Sequence, residues 1–402
     1  MPASRPLIRR AAALAAAAGA VALSVRALSR PRPEAGPRLV DWETVRRTAR
    51  ARSGQRVRLR PEEAARLAAG YDAVAAEMVP LMAEVCGTPP ATLPRITVLD
   101  RHGFIDANLL IVQRLLEPVE RLHGSIPETA ITAFGRRLTS RYVGEVLGFM
   151  SQRVLGQYDP VLMLPGPPPP SDATGIPGAT GTPETTGRAP SSLYLVEPNV
   201  ELLERGEGAP AEPLRRWLVL HEATHAWQFE AHPWLRPYIG DLMNALLASG
   251  LGGEPGGTRT LSLGSAALRR LGRGVAGQLR GIGQLQAVMS VLEGYSNLVM
   301  HRVGRGHIQG FDQLEEAFHR RQAQRTFLER LILAVTGIAL KLRQYDLGER
   351  FAEALLAEGG YTLLNRVWEG PEMMPTMAEL RAPDRWIART RRHGGARRRS
   401  AD

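Results

Sequence analysis

The sequence predicts a mainly helical fold with a minor share of strand, and three observations predict it. Apolar residues recur at three- and four-residue spacing through most of residues 61–156 and again through 311–367. One short run, Ser192-Leu193-Tyr194-Leu195-Val196, has the make-up of a strand and is stopped by Pro198. Hydrophobic residues form 44% of the 402 and charged residues 23%, the proportions of a chain that buries a core instead of staying disordered.

Taken in order, residues 1–38 form a tail rich in arginine and alanine. Arg9-Arg10 precede an uncharged run from Ala11 to Val25, and Arg26, Arg30 and Arg32 follow. Over about residues 8–28 this layout suits a signal peptide or membrane anchor, although the run is short for a spanning helix and would equally suit an Ala-rich helix. Localisation is therefore open between cytoplasm and membrane. Residues 39–390 read as one domain. Its first helix opens at Pro61-Glu62-Glu63, with proline in the first turn and acids at the positive helix end, and runs to about Cys86. Helices follow over 104–122 and 127–156. Residues 165–191 are Pro-, Gly-, Ser- and Thr-rich and read as a flexible surface insertion. A Gly-rich break covers 249–257, and helix returns from 311 to about 367. Residues 391–402 read as a basic, disordered tail.

Composition excludes several functions. The single cysteine, Cys86, rules out a disulfide framework and a Cys-based zinc knuckle; its apolar surroundings read as a buried thiol. The net charge of +11 divides into +6 on residues 1–38, −1 on 39–384 and +6 on 385–402. A neutral body argues against a nucleic-acid-binding core, so no nucleic acid is expected.

The chemistry lies in Leu214 to Phe229. There His221-Glu222-Ala223-Thr224-His225 falls within an apolar, helix-patterned segment that Pro233 ends. Residues four apart share a helix face, so His221 and His225 can hold one ion. Imidazole suits Zn²⁺, which takes a third protein ligand and keeps a position for water in catalytic sites. Glu222, about 100° around the helix, can flank the ion and serve as general base. Glu293 stands alone in the apolar run Met289 to Met300 and is the best third ligand, because a buried carboxylate needs a counter-charge. His301 is the weaker alternative. Asn297, one turn after Glu293, is placed to hydrogen-bond a ligand imidazole. Tyr158, Tyr295 and Tyr345 are candidate oxyanion donors among which the sequence does not choose.

These segments carry a family resemblance. His221 to Arg236, Val154-Leu-Gly-Gln-Tyr-Asp-Pro160, Met289-Ser-Val-Leu-Glu-Gly294, Val40-Asp-Trp42, Arg343 to Arg350 and Val367 to Glu372 resemble the zincin-like metallopeptidases of actinobacteria. That family was long catalogued as of unknown function, and some members are labelled as associated with deazaflavin-coenzyme biosynthesis, a label no residue here supports. The resemblance covers roughly residues 39–390. It implies a zincin-type fold with a helical surround and few short strands, one Zn²⁺ on His221 and His225, Glu222 as base and Glu293 as third ligand. Where the family has Gly-His-Ala-Asp after the glutamate, this chain has Gly294-Tyr295-Ser296-Asn297.

The expected function is a zinc-dependent hydrolase acting on a peptide or protein, with membrane contact through the first tail. The alternative is a non-catalytic scaffold or assembly factor at a membrane, its helices stapled by zinc. A nucleic-acid binder using the arginine tails ranks third.

Overall fold

The computed structural model describes residues 39–54, 58–87, 93–123, 129–159, 192–206, 210–250, 265–323 and 338–399. The first tail, the Pro-rich insertion and most of the Gly-rich break lie outside them. The described chain is mostly helix around one small sheet, and it divides into two compact units. Among the described residues, no helix is long and apolar enough to cross a membrane.

The first unit comprises the described residues before 57 together with 101–153 and 244–278. Helix α1 (Trp42–Arg52) starts at Asp41, whose side chain accepts from the Glu43 and Thr44 amides, and ends with Arg50 and Arg52 at the negative terminus. Its partner is α4 (Ala130–Ser151), reached after α3 (Arg101–His123). Gly144 and Gly148 set the spacing of α1 and α4. A Cβ at Gly144 would lie 2.8 Å from the Val45 carbonyl oxygen, and one at Gly148 2.6 Å from that of Ala49. The two backbones are in contact, which only glycine permits.

The second unit comprises 58–100, 154–243 and 279–402. Helix α2 (Pro61–Met78) ends at Val79-Pro80; a 3₁₀ turn and a single turn of α-helix, Ala83–Cys86, complete the segment predicted as one helix. Proline 80 cannot donate to the preceding turn, which explains the break. Cys86 is buried, as expected, and burial pushes its thiol up to about 12.

The sheet has order β1-β3-β2. Strand β3 (Ser192–Val196), the one the sequence predicts, is central. β1 (Ile96–Leu99) pairs with it in parallel, and β2 (Gly156–Asp159) antiparallel with Gly156 opposite Leu195. The predicted helix over 127–156 stops instead at Ser151, so that its last residues turn into β2. From β3 the chain enters α5 (Glu197–Gly206) and then α6 (Ala211–Glu230), which carries the His-Glu-x-x-His segment. Helix α7 (Leu235–Gly250) and the long α8 (Ser265–Val299) follow, α8 continuing into a π-helical turn, Met300–Gly304.

The C-terminal part is α9 (Phe311–Ala323), α10 (Ile338–Leu364), α11 (Met377–Arg381) and α12 (Pro383–Arg399). Helix α12 carries regular backbone to Arg399, beyond the point where the sequence suggests a tail. Proline at its first position and Asp384 in its first turn favour this start. One hydrophobic core joins α2, the sheet, α6, α8 and α10, with Trp227, Tyr295, Phe351 and Trp386 among its largest buried side chains.

Candidate metal centre

Helix α6 is buried on most of its circumference: Leu214, Leu218, Val219, Leu220, Ala223, Ala226, Trp227 and Phe229 are all in the core. A polar side chain in such a helix must find partners or open to solvent. His221 and His225 do both. Their side chains stay 16% and 15% exposed, whereas that of Glu293, reaching them from α8, is 7% exposed. The two rings stand edge to face with centroids 4.8 Å apart.

The Nε2 atoms of His221 and His225 lie 4.0 and 3.6 Å from Glu293 Oε2. Ligand atoms of all three residues fall within 4.8 Å of one another, and among the described residues this is the group so arranged to hold a metal ion. The donor set, two imidazole nitrogens and one carboxylate oxygen, is one that zinc takes. Burial alone would lower the His225 imidazole, but the Glu293 carboxylate, with Glu222 behind it, holds it above its ordinary value.

Each imidazole is fixed through its other nitrogen. His225 Nδ1 lies 2.9 Å from Gln228 Oε1, and the Gln228 amide in turn donates to the Leu292 carbonyl, next to Glu293. His221 Nδ1 lies 3.1 Å from Ser296 Oγ, and the Trp217 ring stacks on its imidazole at 5.4 Å. Neither Gln228 nor Ser296 was singled out from the sequence, although both sit three residues after a metal-binding candidate. Asn297, the residue expected beside a ligand imidazole, instead donates to Glu349 Oε2 at 3.4 Å.

Glu222 is 6% exposed. Its Oε2 accepts a 2.9 Å hydrogen bond from the Tyr158 backbone N–H on β2. The approach depends on Gly156, where a Cβ would stand 2.7 Å from Glu222 Oε1. Tyr158 continues along α6: its ring stacks on Phe229 at 5.5 Å, and its hydroxyl donates to Glu230 and accepts from Arg236. The Tyr295 hydroxyl donates to Asn365 at 2.7 Å, and its ring packs between Trp227 and Trp368. The Tyr345 side chain lies outside the described residues. His301 is engaged away from the cluster, between Glu315 and Glu349.

The sequence matches the zincin-like metallopeptidase family over residues 40–387. The chain belongs to that family. It is also similar to a crystal structure from Chloroflexus aurantiacus, provisionally described as a hydrolase with a novel fold, at 32% identity and a TM-score of 0.62, covering 88% of this chain and 99% of that one. No curated protein matches. The Glu293-Gly294 pair has a visible purpose: a Cβ on Gly294 would lie 2.1 Å from the Gly348 carbonyl carbon, so α8 and α10 touch beside the carboxylate. The Val367-Trp368 segment is fixed likewise, the Trp368 carbonyl accepting from the Trp234 indole and its ring stacking on His232 at 5.2 Å.

Proposed function

We propose that the chain is a zinc-dependent hydrolase of peptide or amide bonds, binding one Zn²⁺ through His221, His225 and Glu293. The observation that carries this reading is the convergence of those three ligand atoms beside a separately anchored Glu222. When bound, the ion supplies a Lewis acid that polarises the scissile carbonyl and makes water acidic enough to lose a proton near neutral pH. Glu222 takes that proton and returns it to the leaving amine. The Tyr158 amide holds one carboxylate oxygen in place throughout, and the buried ring of Tyr158 keeps that amide in register. Gln228 and Ser296 set the ring orientations, and the part-exposed imidazoles leave substrate a way in.

Three protein ligands favour an enzyme over a zinc-stapled scaffold, since structural zinc is normally closed by four. Metal analysis of the purified wild type should find one zinc per chain, lost in Glu293→Ala. Glu222→Gln should retain zinc and lose hydrolysis of a peptide library by about 10²–10⁴-fold. Full activity in Glu222→Gln would overturn the mechanism, and a fourth protein ligand in the loaded chain would favour the scaffold.

A further inference from the structure

The first unit holds no part of the metal centre, yet its α1–α4 face has a composition that needs a partner. Phe134 is 70% exposed and Leu138 39%, one turn apart on the same side of α4. Arg137 and Arg141 are exposed on that side as well. Arg47 of α1 shares a groove with Arg141. This groove of about 490 Å³ runs between the helices and is lined by Thr44, Arg47, Thr48, Arg52 and Arg141, together with Glu145, which Arg52 approaches to 3.5 Å.

Arg46 and Arg50 on α1 are paired with Glu43 and Asp106. Arg137 and Arg141 form no ion pair among the described residues and are exposed beside the two apolar side chains. Arg47, which donates to Thr44 near Asp41, is exposed across the groove from Arg141. Contact through Gly144 and Gly148 fixes α1 against α4, which makes these groups one preformed platform.

We propose that this face docks on an anionic phospholipid surface. Phe134 and Leu138 enter the boundary between headgroups and acyl chains, and the arginines bind headgroup phosphates, one of them in the groove. Charge and apolarity together select this occupant. A second copy of the chain would bring the same arginines face to face, which like charges oppose. A nucleic acid would satisfy the arginines and leave Leu138 in water. The sequence preceding α1 is of the same kind, with uncharged Ala11–Val25 between arginines.

The test is sedimentation of the full chain with vesicles of phosphatidylcholine alone or with added phosphatidylglycerol, combined with hydrogen exchange. Wild type should bind the anionic vesicles, weaken with salt, and gain protection in peptides covering 42–53 and 130–151. R47Q/R137Q/R141Q should bind on the order of 100-fold more weakly, and F134S/L138S should lose binding that salt does not restore. Binding equal in wild type and the arginine variant, protection confined to other peptides, or no binding to anionic vesicles would each overturn the proposal. So would retention on an immobilised polyanion without vesicle binding. None of these outcomes depends on zinc or hydrolysis.

Discussion

His221 and His225 each have Nε2 near Glu293 and Nδ1 held by a neutral polar group. For His225 this determines the tautomer. Gln228 spends its amide N–H on the Leu292 carbonyl, so its oxygen faces the ring and can only accept. Nδ1 then carries the hydrogen, and Nε2 offers its lone pair toward the metal position. For His221 the Nδ1 partner is the Ser296 hydroxyl, which orients the ring and can donate or accept. Ser296→Ala should therefore weaken zinc binding about 10-fold, measured by competition with a chromophoric chelator. Asn297→Ala should leave zinc affinity unchanged, since its amide serves Glu349. The reverse pattern would show that the supporting hydrogen bond has been assigned to the wrong residue. Asparagine at 297 is also intelligible: beside the Glu349 carboxylate an amide can donate, whereas an aspartate would add a like charge.

At the scale of elements, the contact between α8 and α10 controls where Glu293 stands. A Cβ on Gly348 would come 1.8 Å from the Ser290 carbonyl oxygen, and both atoms belong to backbone that cannot swing aside. Gly348→Ala should thus destabilise the protein by about 1–3 kcal/mol or more, read as a lower urea midpoint with zinc chelated so that metal loss does not contribute. A wild-type midpoint would mean that the helices separate at little cost. Just beyond this contact, the π-helical turn brings His301 between two helices, with Glu315 of α9 at Nε2 and Glu349 of α10 2.6 Å from Nδ1. Chiefly the Glu349 hydrogen bond, opposed by burial and reinforced by Glu315, raises this imidazole from 6.5 to about 9. A folded-state value above the unfolded one stabilises fully below about 6.5 and is lost as pH rises through 9. His301→Gln should therefore be less stable than wild type by on the order of 1–3 kcal/mol at pH 6, with the difference vanishing by about pH 10. A gap that stayed constant over that range would point to packing instead of charge.

Across the whole molecule, what could be read from sequence was what is local. Helical periodicity needs only neighbours along the chain, so most helices were legible, as was β3 with its continuous buried run. β1 and β2 were not. Each is four residues long, too short for alternation to register, and each becomes a strand only by pairing with β3, which is distant in sequence. The site divides in the same way. His221, Glu222 and His225 share one helix and announce themselves by spacing, while Glu293 stood out as an acid in an apolar run. The Tyr158 amide was invisible because every residue has one; only the fold directs it at Glu222. The division into two compact units is equally illegible, since contacts between segments distant in sequence draw that boundary.

The depth at which Glu222 and Glu293 lie has a consequence in electroneutrality. Two carboxylates of this burial put two negative charges into a poorly polarisable interior, where an excess of either sign is costly. A proton on His225 cancels only one of them. A divalent cation held by neutral imidazoles would cancel both, so the loaded centre would sum to zero without help from solvent. On the proposed mechanism, a proton passing from water to Glu222 would move within the centre and leave that sum at zero. The interior's intolerance of unbalanced charge thus favours a divalent ion over a monovalent one, and on the proposed reading the two glutamates together would set the valence of the ion that fits between them.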